Sequence, residues 1–214
     1  MTSPNDEVLT SKMRFMGIFS HTIHYMKFAF IIFKYFPFGG MQRDMLRTAN
    51  ELVARGHSVE VFTLNWQGEL PTGIKVHVLP QNGWFNFTRY QHFIDATFAM
   101  IHQGQFDYIF GYNRTPGLNA HFAADPCFIE RAHKQRNWLY RLTPRYRWFA
   151  ACEKAVFSNE LAVQILAVSH LNATFSALVW HTNRAFPFYS ALLVARTFCA
   201  TRQNCYARAF TQSV

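Results

Sequence analysis

Between residues 27 and 64 the chain changes its hydrophobic period twice. Residues 27–33, Lys-Phe-Ala-Phe-Ile-Ile-Phe, make a near-continuous apolar run of strand length, the pattern of a parallel strand covered on both faces. Residues 35–40, Tyr-Phe-Pro-Phe-Gly-Gly, break it. From there Met41, Met45, Ala49, Leu52 and Val53 fall on one helical stripe, with Gln42, Arg43, Asp44, Arg47, Asn50 and Glu51 largely off it. Gly56 predicts a left-handed stop to this helix, and a second strand is predicted at 58–64. Residues 74–79 alternate as a strand and end at Pro80. Phe87, Tyr90, Ile94, Phe98 and Ile101 recur at helical spacing and predict a helix over 87–102. Two further strands are predicted at 107–112 and 164–169.

A strand feeding a helix through two adjacent glycines, with another strand behind it, predicts an α/β fold, a Rossmann-like doubly wound parallel sheet. Ligands in such sheets bind beyond the carboxyl ends of the strands, so Asn113, delivered by the strand at 107–112, and the Gly39-Gly40 turn are expected to face one crevice. Glycines there let an anionic group approach the backbone, and the helix start supplies unpaired N–H donors. The same pair could equally relieve a tight turn, because the six-residue dinucleotide fingerprint is absent. Asp125, just before Pro126, reads either as a cap or turn residue or as part of a substrate pocket.

Half of the residues are apolar and 17% aromatic, enough for a sizeable core, and the 214-residue length suits one α/β domain, or one and a fragment of another. The formal net charge of +9 and a pI near 9.7 point to an anionic partner. That charge concentrates at 128–154, where seven basic residues face two acidic ones. Arg131, Lys134, Arg136, Arg141, Arg145 and Arg147 are interleaved with Trp138, Tyr140, Tyr146 and Trp148. Basic side chains reach lipid phosphates while Trp and Tyr settle at headgroup level, so the composition fits a segment lying on an anionic membrane surface; a solvated charged face is the plainer alternative. No nucleic-acid-binding signature accompanies the charge, and nucleic acid is not expected as a partner. The four cysteines show no metal-ligand spacing and read as reduced thiols of a cytoplasmic protein, and no apolar run reaches the ~18 residues of a membrane span.

Residues 33–44 (Phe-Lys-Tyr-Phe-Pro-Phe-Gly-Gly-Met-Gln-Arg-Asp) and 54–63 (Ala-Arg-Gly-His-Ser-Val-Glu-Val-Phe-Thr) resemble the start of the bacterial lipopolysaccharide core glucosyltransferases, retaining GT-B enzymes of glycosyltransferase family 4. Residues 111–118 (Gly-Tyr-Asn-Arg-Thr-Pro-Gly-Leu), 122–125 (Phe-Ala-Ala-Asp) and 139–147 (Leu-Tyr-Arg-Leu-Thr-Pro-Arg-Tyr-Arg) resemble later parts of the same domain, in order. The resemblance implies transfer of glucose from UDP-glucose to an inner-core heptose of lipopolysaccharide with retained configuration, by a peripheral enzyme on the inner face of the inner membrane and without a metal or other cofactor. It implies donor contacts from Gly39, Gly40, Arg43 and Ser169, catalytic roles for Asp44 and Asp125, and an acceptor contact from Asn113.

It also implies a domain plan. Residues 26–172 correspond to the N-terminal, acceptor-side half of GT-B. Residues 1–25 lie upstream of the family's usual start and are expected to be a disordered extension, with Met26 a natural initiator. Beyond about residue 174 the resemblance stops. Codons for residues 181–190 read one nucleotide later can spell Thr-Pro-Thr-Glu-Arg-Phe-His-Phe-Ile, which resembles the family's link into its second domain, so 173–214 is expected to be a frameshifted tail. The groups that neutralise the donor diphosphate belong to that second domain in the family. The isolated chain is therefore expected to be inactive or nearly so, with membrane-surface binding by a non-catalytic fragment as the alternative function.

Overall fold

The apolar run at 27–33 becomes β1 (Lys27–Ile31), an inner strand of a six-stranded sheet. Its successive side chains point to opposite faces and both are buried: Phe28 and Phe30 enter one core cluster, Ala29 and Ile31 the other. This double coverage is why the run shows no polar alternation. The computed structural model describes residues 25–80, 83–158 and 163–167. Expectations for residues 1–24, for Ser169 and for 173–214 lie outside them.

After β1 come β2 (Lys34–Tyr35), α1 (Gly40–Ala54), β3 (Ser58–Thr63), β4 (Asn65–Trp66), β5 (Lys75–Val78), α2 (Asn86–Gly104), β6 (Tyr108–Gly111) and β7 (Ala120–Ala123). Helix α3 (Phe128–Gln135), a 3-10 turn (Trp138–Leu142), α4 (Pro144–Phe157) and β8 (Gln164–Ala167) complete the described chain. The main sheet runs β5-β3-β1-β6-β7-β8 with every neighbouring pair parallel. Strand order reverses between β1 and β6, the doubly wound arrangement expected from the sequence. Met45, Ala49 and Leu52 of α1 pack on one face with Phe28, Phe30 and Phe110. Phe93, Ile94 and Ile101 of α2 and Val156 and Phe157 of α4 pack on the other with Ile31 and Phe62. Each fully buried Phe or Leu contributes about 1.5–3 kcal/mol.

Helix α1 stops where predicted, at Gly56 with φ +83°. The two-residue strands β2 and β4 pair with each other beyond the main sheet, with Tyr35 stacked on Trp66 at 3.7 Å. Neither is visible to periodicity, and nor is β7, four buried residues that include His121. The basic stretch at 128–157 is two helices and a turn. Asn137 caps the 3-10 turn and Thr143 caps α4, whose first residue is Pro144. One stripe of α4, Cys152, Glu153, Val156 and Phe157, is buried, so this segment is docked on the domain along that stripe.

Candidate functional site

At the switch point the main-chain ladder of β1 runs out, and a side chain takes over. Tyr112 N donates to Ile31 O (2.9 Å) and Ile32 N to Phe62 O (3.0 Å). The next donor, Phe33 N, is satisfied by Asn113 Oδ1 at 2.7 Å. Asn113 thus joins the carboxyl ends of β1 and β6, and its amide NH2 has no hydrogen bond among the described residues. In front of it opens a cleft of about 260 Å³. It is lined by Phe33, Asn113 and Arg114, by Asn86 and Tyr90 of α2, by Asp125 and Pro126, and by Phe128, Arg131, Arg145 and Phe149 of α3 and α4.

Arg114 and Glu153 build the wall that carries Asp125. Arg114 Nη2 donates to the carbonyls of Asp125 (2.7 Å) and Pro126 (2.8 Å), and its Nε lies 3.2 Å from Glu153 Oε1. Glu153 is fully buried and accepts from Phe128 N (2.7 Å) and Ile129 N (2.9 Å), the opening donors of α3. One carboxylate therefore neutralises a largely buried guanidinium and caps a helix, which offsets the cost of its own desolvation. Close by, His121 is buried with Nδ1 3.1 Å from Gly111 O. Burial, with the Arg114 charge adding to it, pushes its pKa down to about 3, so the ring is neutral and Nδ1 donates to the carbonyl.

The start of α1 contributes no residue to the lining of this cleft. Gly39 is an extended N-cap at φ −81°, so its need is steric, not conformational. A Cβ there would sit 1.9 Å from Gln42 Oε1 and 2.7 Å from a Phe36 ring carbon. Gln42 is buried and donates from Nε2 to Lys34 O at 3.2 Å, tying the helix start to β2. At Gly40 a Cβ would meet nothing within 4 Å: the first turn of α1 opens onto space, as anion approach requires. Arg43 is exposed, and Asp44 is half-buried, with its carboxylate close enough to the buried Tyr112 hydroxyl to add to the effect of burial that raises it well above the ordinary tyrosine range.

The sequence-predicted residues thus divide. Asn113 and Asp125 both line the cleft; Gly39, Gly40, Arg43 and Asp44 sit together at the start of α1, outside that lining. The basic segment divides as well. Arg131 and Arg145, grouped with the lipid-facing residues, line the cleft. Trp148 turns inward, its Nε1 donating to Gln91 Oε1 at 2.7 Å, and Tyr146 packs on Phe128 with its hydroxyl 2.9 Å from His133 Nε2. Tyr140 is half-buried, edge-on to Tyr146 at 5.9 Å. Lys134 pairs with Glu130 at 2.6 Å. Left outward are Arg136, Arg141 and Arg147 with Trp138, Leu139 and Leu142, these three 51–68% exposed. Sequence reasoning missed Gln42, Arg114 and Glu153. The signal for Glu153 was available, since it falls on the Cys152, Val156, Phe157 stripe.

The family model described as Glycosyltransferase Family 4 matches residues 38–175, more than half of the chain. The chain belongs to glycosyltransferase family 4. Lipopolysaccharide glucosyltransferase WaaG of Escherichia coli (strain K12) is 37% identical over 141 residues, covering 66% of this chain and 38% of its own length. A crystal structure of WaaG, a glycosyltransferase involved in lipopolysaccharide biosynthesis, aligns at 34% identity with a TM-score of 0.70, covering 73% of this chain and 42% of that one. This family 4 chain thus spans about two fifths of the relatives it matches, and the aligned part has the Rossmann-like fold of one GT-B half. Among the described residues no cluster of His, Cys, Asp and Glu could hold a metal ion, and no helix is long and apolar enough to cross a membrane.

Proposed function

We propose that residues 26–172 are the acceptor-side half of a retaining lipopolysaccharide core glucosyltransferase that moves glucose from UDP-glucose to an inner-core heptose. The observation that carries this is the 37% identity to a lipopolysaccharide glucosyltransferase over 141 residues. In this reading the donor diphosphate approaches the open backbone at Gly40, where helix N–H groups and the dipole favour negative charge. Gly39 keeps Gln42 in place behind that turn, and Arg43 stands exposed for a further anionic contact. Asp44 faces the reacting sugar. The acceptor ring occupies the cleft, with the Asn113 amide donating to a hydroxyl and the Asp125 carboxylate accepting from one. No metal or cofactor other than the donor sugar takes part. Stabilisation of the leaving diphosphate, often the largest catalytic contribution, falls to cationic groups of a second domain.

The outward face of the 3-10 turn gives this half a place to rest. Trp138, Leu139 and Leu142 project among Arg136, Arg141 and Arg147, a composition suited to an anionic headgroup layer on the cytoplasmic side of the inner membrane.

The test is glucose transfer from UDP-glucose to a heptose-terminated core acceptor, measured for the chain alone and for residues 26–172 fused to the second half of the E. coli relative. The fusion is expected to form an α-glucoside and the chain alone essentially none. A fusion that unfolds cooperatively and binds UDP-glucose yet transfers no glucose would overturn the assignment, as would robust transfer by the chain alone for the role given to the second domain.

A further inference from the structure

Three arginines line one cleft, and their electrostatic situations differ. Arg114 has its counter-charge in Glu153 and gives two hydrogen bonds to loop carbonyls. Arg131 and Arg145 form no ion pair among the described residues: Glu130 pairs with Lys134 and Glu153 with Arg114, which leaves Asp125 as the carboxylate on the cleft's lining. The Arg145 guanidinium instead lies 5.7 Å from the Phe149 ring centre. Two like charges outnumber the one Asp125 carboxylate in this concave site, and an oxyanion placed between them relieves their repulsion with charge-assisted, fork-shaped hydrogen bonds. Tyr90, Phe128 and Phe149 line the same space and supply apolar surface for the C–H side of a sugar. The volume is small beside the ~300–1,000 Å³ of common ligand pockets, which suits a single sugar ring with its substituent.

We infer that the cleft is an anion-reading subsite for the acceptor: it takes a sugar bearing a phosphate or carboxylate, with Arg131 and Arg145 as the ligands of the acidic group and the Asn113 amide as an added donor. The inference rests on the glucosyltransferase reading only in treating the cleft as the acceptor side. A lipid phosphate offers the same oxyanion without the sugar ring, so the two sources separate experimentally.

The test titrates the 214-residue chain, without UDP-glucose, with mannose 6-phosphate, mannose, inorganic phosphate and vesicles of phosphatidylglycerol in phosphatidylcholine, following binding calorimetrically. Mannose 6-phosphate is expected to bind at least about tenfold tighter than mannose or inorganic phosphate. In R131Q/R145Q, both substitutions at exposed positions, that preference is expected to vanish while vesicle binding persists. R136Q/R141Q is expected to keep the preference and weaken vesicle binding. Equal affinity for mannose and its phosphate overturns the proposal; so does an unchanged preference in folded R131Q/R145Q, or loss of vesicle binding alone in that variant, which would assign both arginines to lipid. Since no donor is present, failed glucose transfer leaves this result intact, and failed sugar-phosphate binding leaves the transfer reaction intact.

Discussion

Gly39 and Gly40 are adjacent, yet opposite physical demands hold them. At Gly39 an added methyl collides with Gln42 and Phe36, and Gln42 can swing away only by giving up its hydrogen bond to Lys34 O. G39A is expected to cost about 1–3 kcal/mol in urea unfolding, from overpacking plus a lost hydrogen bond. At Gly40 the methyl enters open space on a helix, and G40A is expected to gain up to about 1 kcal/mol in the same measurement while weakening UDP-glucose affinity in the fused enzyme. A destabilised G40A would remove the steric distinction. His121 sets a pH limit in the same way, from one side chain. Its pKa is about 3 when folded against 6.5 unfolded, so below pH 6.5 the unfolded chain binds a proton that the native chain refuses. The stabilisation is complete above pH 6.5 and is lost as pH falls towards 3. Between pH 7 and pH 5 the loss is about 2 kcal/mol from this residue, with His57 shifted in the same direction by burial and Arg55. H121N is expected to flatten the acid limb of stability measured by urea unfolding at pH 5, 6 and 7; an unchanged slope would mean that His121 takes up its proton in the native state.

At the level of elements, the cleft wall depends on α3 and α4 being tied through Glu153. In E153A, Arg114 loses its counter-charge while largely buried and two helix donors lose their acceptor, so a cost of about 3–5 kcal/mol is expected in unfolding measurements. Adding R114M to E153A should recover part of it, because the uncompensated charge goes too; a double variant no better than E153A would show that capping α3 dominates. This tie also explains what could and could not be read from the chain. β1, α1 and β3 were legible because each is uniform in period over its whole length and the Gly39-Gly40 and Gly56 breaks fall between them. β2 and β4 were not, being two residues each and held by the Tyr35–Trp66 stack across 31 positions. Nor was the way the basic segment divides between cleft and surface. Composition counted Arg131, Arg145 and Trp148 with their neighbours, whereas helix phase decides that the arginines meet Asn113 and Asp125 and that Trp148 meets Gln91. Asn113 and Asp125 were found by resemblance and by the strand-end rule; Arg114 and Glu153 act through contacts 39 positions apart, which no local pattern encodes.

On the scale of the whole molecule, charge and apolar surface have to act together if this half rests on lipid. The net charge of +9 attracts an anionic surface from a distance, but across about one Debye length, ~10 Å at 0.1 M salt, that attraction is screened. Trp138, Leu139 and Leu142 act only on contact and are indifferent to salt, since burying them in the interface removes apolar area from water. Flotation on vesicles with 30% phosphatidylglycerol is therefore expected to lose about tenfold in apparent affinity between about 50 and 300 mM NaCl and then level off, the remainder being the apolar contribution. W138A/L139A/L142A should lower affinity at both salt concentrations and abolish the plateau, because only the screened term is left; all three side chains are exposed, so stability should change little. A plateau that survives the triple substitution would place the lipid contact elsewhere on the surface. Binding with no salt dependence at all would remove the arginines from the account and leave the exposed apolar turn as a protein-facing surface.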